Sequence, residues 1–226
     1  MRSYGQYCPI SRASEVLAQR WTPLILRNML LGCTTFSAIA GGVPGMSRSL
    51  LSRRLGELQD AGLLTIDRKT DGHGHIYTLT AAGRALWDVM QAMATWAERY
   101  IDLQPEHRDP AFILWAWCHA HLNTRQLPDR RVTVRFDFPD QRPPHQRFWI
   151  LFEHKTAELC NEHPGFEEDL VVWARSEAFL LWHLGKLPWR TAVGNDQIRV
   201  TGKQTLCRAL PTWNTLVNPT DDGSGS

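Results

Sequence analysis

The chain has 226 residues, 43% of them hydrophobic and 21% charged, with 25 Lys and Arg against 23 Asp and Glu for a net charge of +2. That apolar share excludes wholesale disorder, the length allows one large domain or two small ones, and the charge alone announces no polyanion partner. The five cysteines, Cys8, Cys33, Cys118, Cys160 and Cys207, form no CxxC pair and no spacing of a zinc or disulfide framework. The N-terminus lacks the basic and apolar regions of a secretory signal, and no apolar run reaches the ~18 residues of a membrane helix. A soluble cytoplasmic protein with no membrane contact is expected.

Leu24, Ile25, Leu26, Met29 and Leu30 predict a short apolar helix ended by Gly32, and a second short helix around Phe36–Ala40 stops at Gly41-Gly42. Val43-Pro44-Gly45-Met46-Ser47 reads as a turn, with Ser47 as N-cap of the next helix, about Arg48–Ala61, which Gly62 closes. Leu51, Leu55 and Leu58 share one face of that helix; at about 100° per residue the opposite face shows Ser49, Ser52, Arg53, Gly56 and Asp60. Arg48 sits in the first turn and Arg54 flanks the leucine stripe. Leu64–Lys69 and His75–Thr80 predict two strands turning at Asp71-Gly72. Thr80 then caps a long helix to about Tyr100.

Three short helices and a hairpin, with a polar, basic third helix, describe a winged helix-turn-helix. Hydroxyls and guanidiniums on such a helix suit base edges in the major groove of double-stranded DNA. The expected DNA contacts are Ser47, Arg48, Ser49, Ser52, Arg53 and Arg54 on the helix, with Arg68, Lys69, His73 and His75 on the hairpin reaching the flanking backbone or minor groove.

Residues 104–110, with two prolines among polar side chains, mark a linker between a first domain over 1–103 and a second over 111–216; residues 217–226 read as a disordered tail. Charge divides there too. The first 103 residues hold 11 basic and 8 acidic side chains, the remainder 14 and 15. In the second domain a helical run Ala111–Asn123 precedes strand-like Val132–Phe138, Arg147–Phe152 and a short strand at Glu158–Asn161. Asp169–Trp173 is followed by a helix capped near Ser176, a further short helix after Pro188-Trp189, the strand Gln197–Thr201 and a helix from Gly202-Lys203 to Leu210. That order is an α+β arrangement.

Over about residues 7–100 the chain resembles the HxlR family of bacterial winged-helix regulators. The resemblance rests on Cys8-Pro9, Arg20-Trp21, Leu24–Arg27, Leu31-Gly32, Phe36, Pro44–Ser47, Leu51, Arg54-Leu55, Glu57-Leu58, Gly62-Leu63, Tyr77–Thr80 and Gly83. It implies a homodimeric transcription factor joined through the first helix and the long helix after the wing, with the helix from Ser47 in the major groove. Independently, Leu86, Val89, Met90, Met93, Trp96, Ala97 and Tyr100 form a helical apolar stripe, which fits a dimer or packing on the chain's own second domain. Some members of the family sense oxidants through a cysteine at the position of Cys8, whose nearby helix N-terminus favours thiolate.

Over about residues 147–214 the chain is similar to sterol-carrier-protein-like domains. Asp169–Val172, Leu184–Leu187, Ile198–Val200, Gly202, Leu206 and Ala209–Pro211 carry that likeness. It implies a sheet with helices over one face and an apolar cavity between them for a lipid-like or aromatic effector. Seven of the ten tryptophans lie in this half, and Trp149, Trp173 and Trp182 are the expected effector contacts.

Cys118, His119 and His121 supply too few convergent ligands for a metal, and no GxSxG or HExxH motif is present, so neither metal, cofactor nor enzyme activity is expected. The first reading is a DNA-binding regulator controlled by an apolar effector. Its alternatives are a redox regulator acting through Cys8 and a lipid-binding module that does not bind DNA.

Overall fold

In the computed structural model, which describes residues 3–70 and 73–216, the chain forms two units that part between Leu103 and Gln104. The expected tail over 217–226 and the expected turn at Asp71-Gly72 lie outside the described residues. No helix among the described residues is long and apolar enough to cross a membrane.

The first unit begins with α1 (Pro9–Leu17) and α2 (Thr22–Leu30), each carrying a proline in its first turn, where no helical N–H is lost. There follow α3 (Phe36–Gly41), α4 (Arg48–Asp60), the hairpin β1 (Leu64–Arg68) and β2 (His75–Leu79), α5 (Ala81–Ala85) and α6 (Trp87–Tyr100). Ile25, Leu26 and Met29 of α2, Ile39 of α3, Leu51, Leu55 and Leu58 of α4, and Leu64 and Leu79 of the hairpin close on one core. In α1 and α6 no residue is buried.

The long helix expected after Thr80 is two helices that break at Leu86. α5 is tied to the root of the hairpin: Thr80 caps it and also donates from Oγ1 to Gly62 O at 2.7 Å, while Arg84 Nη1 donates to Leu79 O at 2.6 Å. Gly83 fits because it has no side chain; a Cβ there would lie 2.1 Å from Leu63 O. Those ties fix the direction of α5, and the chain turns at Leu86 before α6 sets off.

In the second unit α7 (Pro110–Ala116) runs into a π-helical turn, Trp117–His121. The sequence suggests one regular helix here. His119 Nδ1 instead bonds Trp115 O at 2.8 Å, and a side chain inserted at the ladder accompanies the widened turn. The sheet runs β5-β4-β3-β6-β7, from β3 (Val132–Asp137), β4 (Arg147–Glu153), β5 (Thr156–Cys160), β6 (Leu170–Ala174) and β7 (Ile198–Gly202). β3 and β6 are parallel neighbours and the other pairs are antiparallel. The β4–β5 turn places His154 and Lys155 at φ of 51° and 60°, the paired left-handed geometry of a tight hairpin without its usual glycine or asparagine.

The register assigns the two faces of this sheet. Val134, Phe136, Ile150, Phe152, Leu170 and Val172 point one way and are fully or almost fully buried, together with Phe179 and Trp182 of α8 (Ser176–His183). α9 (Trp189–Gly194) and α10 (Gln204–Ala209) also pack residues into that core. Where an apolar cavity is expected between sheet and helices, aromatic rings fill the space. Phe179 meets Trp117 edge-on at 5.6 Å and Phe136 at 5.5 Å, and Phe152 meets Trp213 at 5.1 Å.

Candidate nucleic-acid interface

The pairing of α3 with α4 is set by caps at both starts. Thr35 Oγ1 accepts from Ala38 N and Ser47 Oγ accepts from Leu50 N, each at 3.3 Å. Between the helices Gly45 takes φ of 83°, a left-handed turn conformation that a side chain would strain. With Leu51, Leu55 and Leu58 inside, the outer row of α4 carries Arg48, Ser49, Ser52 and Arg53, all exposed.

The expected contacts divide by their partners. The Arg53 side chain is 64% exposed, its Nε 3.9 Å from Glu57. The Arg48 guanidinium lies 4.8 Å over the Phe36 ring, which aims it along the α3–α4 junction. Arg54 stands apart from the rest of the row. Its side chain is 14% exposed and bonds Glu57 at 2.5 Å, so it braces α4 rather than joining the exposed row. On the hairpin, Arg68 pairs in register with His75, bringing both side chains to one face near the tip. His73 and His75 are exposed, and Lys69 N donates to Gly74 O at 3.1 Å to close the ladder.

Two supports are invisible to local sequence patterns. Thr35 bridges Ile76, and Tyr77 N donates to Thr34 O at 2.8 Å, so the hairpin gains a third strand segment from the loop before α3. Below α4, fully buried Asn28 donates to Ile39 O at 2.8 Å and accepts from Arg27, while Arg27 Nη2 donates to Gly42 O at 2.7 Å. That bracket fixes the end of α3 against α2, and with it the angle at which α4 is presented. Burial lowers the Arg27 pKa to about 10, which still leaves it charged at neutral pH. The available signal was a polar residue inside the apolar stripe of α2.

Cys8, half-buried, is the residue just before α1; the amides of Ser11 and Ile10 hold its thiol below the usual range. The other shifted thiols move the opposite way through burial, Cys33 to about 11 and Cys118 to about 12, with Cys160 also raised. Cys118, His119 and His121 do not converge: His119 stacks on Trp115 at 4.4 Å, and His121 Nδ1 meets His183 Nδ1 at 3.1 Å. Of the three tryptophans expected around an effector, Trp149 and Trp173 line one cavity. Trp182, 2% exposed, is part of the interior against Trp117 and does not reach that cavity.

Residues 16–105 match the family model described as HxlR-like helix-turn-helix. The HTH-type transcriptional regulator Rv3095 of Mycobacterium tuberculosis is 36% identical over 138 residues, spanning 59% of this chain and 85% of the relative. The HTH-type transcriptional regulator YvaP of Bacillus subtilis is 34% identical over 100 residues, 43% of this chain and 93% of its own. Among solved structures, quinone-bound YodB from Bacillus subtilis is 34% identical and covers 41% of this chain and 99% of that one, with a TM-score of 0.36.

Proposed function

We propose, on the premise that the chain belongs to the HxlR-like helix-turn-helix family of transcriptional regulators, that it is a cytoplasmic homodimer that lays α4 of each protomer in the major groove of operator DNA. The observation that carries this reading is the division of α4, with three leucines inside and Ser49, Ser52 and Arg53 outside beside the basic hairpin. Ser47, Arg48, Arg68, Lys69, His73 and His75 supply backbone and groove-edge contacts, and Arg54 acts by holding the helix straight. A dimer is supported by α1 and α6, which together expose Ile10, Trp87, Met93, Trp96 and Tyr100, with Tyr7 exposed just ahead of α1. Two α4 helices then read half-sites about one DNA turn (~34 Å) or a multiple of it apart.

The second unit acts as the ligand-bearing, sterol-carrier-protein-like half. Its strand order and its helices over one sheet face support that assignment. A small effector held there shifts the spacing of the DNA heads, typically a coupling of ~1–3 kcal/mol. The test is fluorescence anisotropy with the DNA upstream of the protein's own gene and a scrambled duplex at ~150 mM salt. Specific recognition appears as roughly hundredfold or more tighter binding to the first. No binding to either duplex at lower salt would leave a ligand-binding module without DNA affinity.

A second reading is favoured by the lowered thiol of Cys8 beside the raised thiols elsewhere. In it, oxidation at Cys8 changes operator affinity. Diamide then weakens DNA binding of the wild type and leaves Cys8→Ser unaffected; equal responses of both proteins remove this reading.

A further inference from the structure

The face of the five-stranded sheet turned away from α8 holds an unassigned site. Register places Arg135 and Asp137 of β3, Arg147 and Trp149 of β4, Trp173 of β6 and Arg199 of β7 on this one face. Against it lies a cavity of about 560 Å³, within the ~300–1,000 Å³ range of small-molecule sites. Its walls are the two indoles, Pro139, Pro143 and Pro144 of the β3–β4 loop, and the side chains of Arg147 and Asn161.

The walls are held by bonds outside the cavity. Trp149 Nε1 donates to Glu168 Oε1 at 2.9 Å, and the Arg199 guanidinium covers Trp173 at 4.1 Å from the ring centre. The loop is closed by Phe138 N to Gln146 O at 2.8 Å and anchored where Asp140 accepts from Ser176 N at 3.1 Å. The indoles rise from β4 and β6, the strands flanking β3, opposite Arg135 and Asp137 respectively, so two strand spacings across and two residues along set their anchor points ~12 Å apart. One flat ring system in contact with both needs ~7–8 Å.

The charges choose the ligand's polar end. Asp137 accepts from Arg147 Nε at 2.6 Å and from Arg135 Nε at 3.1 Å, and Glu168 accepts from Arg135 Nη1 at 2.8 Å and from Trp149. Both carboxylates are therefore neutralised where they stand, which disfavours a cationic ligand. Arg147 is neutralised by the same ion pair, but one edge of its guanidinium stays open. It is 55% exposed, and among the described residues only its Nε is bonded, leaving the Nη1 and Nη2 edge, two parallel donors that match a carboxylate.

We propose that this cavity binds a planar aromatic carboxylate, its ring against Trp149 and Trp173 and its carboxylate on the Nη edge of Arg147. The proposal rests on the second unit being the ligand-bearing half and names the site and ligand class of that reading. Isothermal titration calorimetry of the full chain with 1-naphthoate, beside its neutral shape-match 1-naphthamide, tests it. Naphthoate binds at least tenfold tighter than the amide, and Arg147→Gln removes that preference. Asn161→Asp, at an exposed cavity position outside the ion-paired ladder, weakens naphthoate and spares the amide, so the charge argument is tested even if Arg147→Gln misfolds. Absence of naphthoate binding at millimolar concentration, equal affinities for acid and amide, or an unchanged preference in Asn161→Asp overturns the proposal. Operator anisotropy with and without naphthoate separates site from control: naphthoate binding that leaves DNA affinity unchanged supports the site and removes the effector role.

Discussion

The two units put their large apolar side chains in opposite places. Among the described residues of the first, Tyr7, Ile10, Met93, Trp96, Tyr100 and others lie exposed, and its core is built mainly of leucine, isoleucine and methionine, with Tyr77 as its buried aromatic. The second keeps Trp117, Phe136, Phe152, Phe179 and Trp213 fully buried and exposes few large apolar groups. Apolar surface removed from water is worth about 25 cal/mol per Å². The second unit thus gathers that gain within itself, while the first leaves much of it to be collected by association. A helix pair with no buried residue is poor protein interior and good interface.

The largest way to break this contrast is inside the second unit. Phe179 touches the rings of Trp117, Phe136 and Phe138, and truncating such a fully buried aromatic typically costs ~3–5 kcal/mol. Phe179→Ala is expected to move the second unit's transition in urea by that amount while tryptophan-independent probes of the first unit stay in place. A single shifted transition for both units would show that they unfold as one cooperative body.

The next largest effect concerns association. Met93→Glu with Trp96→Glu puts two charges on the exposed stripe of α6, where neither side chain holds the monomer together. Sedimentation equilibrium should find a monomer, operator affinity should fall by roughly a hundredfold, about 2.7 kcal/mol, and thermal stability should barely change. A stable dimer in this variant would move the interface elsewhere.

Much of the first unit was legible because its signals are local. Ser47 as a cap, Gly45 in the turn and leucines spaced by four and three are written within one short window, and α4 follows them. The Arg27–Asn28 bracket and the bridge from Thr35 to Ile76 join segments far apart in the chain, and no window contains both partners. In the second unit the difficulty was parity. β4 reads Arg-Phe-Trp-Ile-Leu-Phe-Glu, so nearly every position is apolar and either face passes for the core. Arg147 and Glu153 share parity with Trp149, and only the pairing of β4 with β3 shows theirs to be the face away from the helices. Trp182 looked like a cavity residue for a related reason: composition reports how many indoles there are and says nothing of which meet each other.

A smaller effect sharpens the first unit's own surface. Arg53 and Arg54 are neighbours of the same type, yet one is exposed and the other is folded onto Glu57. Arg53→Ala is expected to weaken operator binding about tenfold and relax sequence preference, since a good base contact is worth ~1–3 kcal/mol. Arg54→Ala should change operator affinity less than twofold and act on stability instead. Equal loss on specific and scrambled DNA for Arg53→Ala would make that side chain a phosphate contact.

The smallest effect separates the units by acid. In the second unit His183 is almost fully buried against His121, and burial followed by the neighbouring imidazole pushes its pKa down to about 3. His183 is therefore neutral in the folded state, and one Nδ1–H of the pair donates to the other ring nitrogen. An unfolded histidine titrates near 6.5, so below that value the unfolded chain binds protons that the folded one refuses. The stabilisation is complete above about pH 6.5 and is lost as pH falls toward 3, by on the order of 1 kcal/mol at pH 5.5. The first unit's buried cation, Arg27, stays charged through this whole range, since its pKa is lowered only to about 10. Denaturation followed from pH 7.5 to 4.5 should therefore weaken the second unit first, and His183→Asn, which keeps a donor near the position of Nδ1, should flatten its pH dependence. The same acid slope in that variant would assign the sensitivity to other groups of the unit.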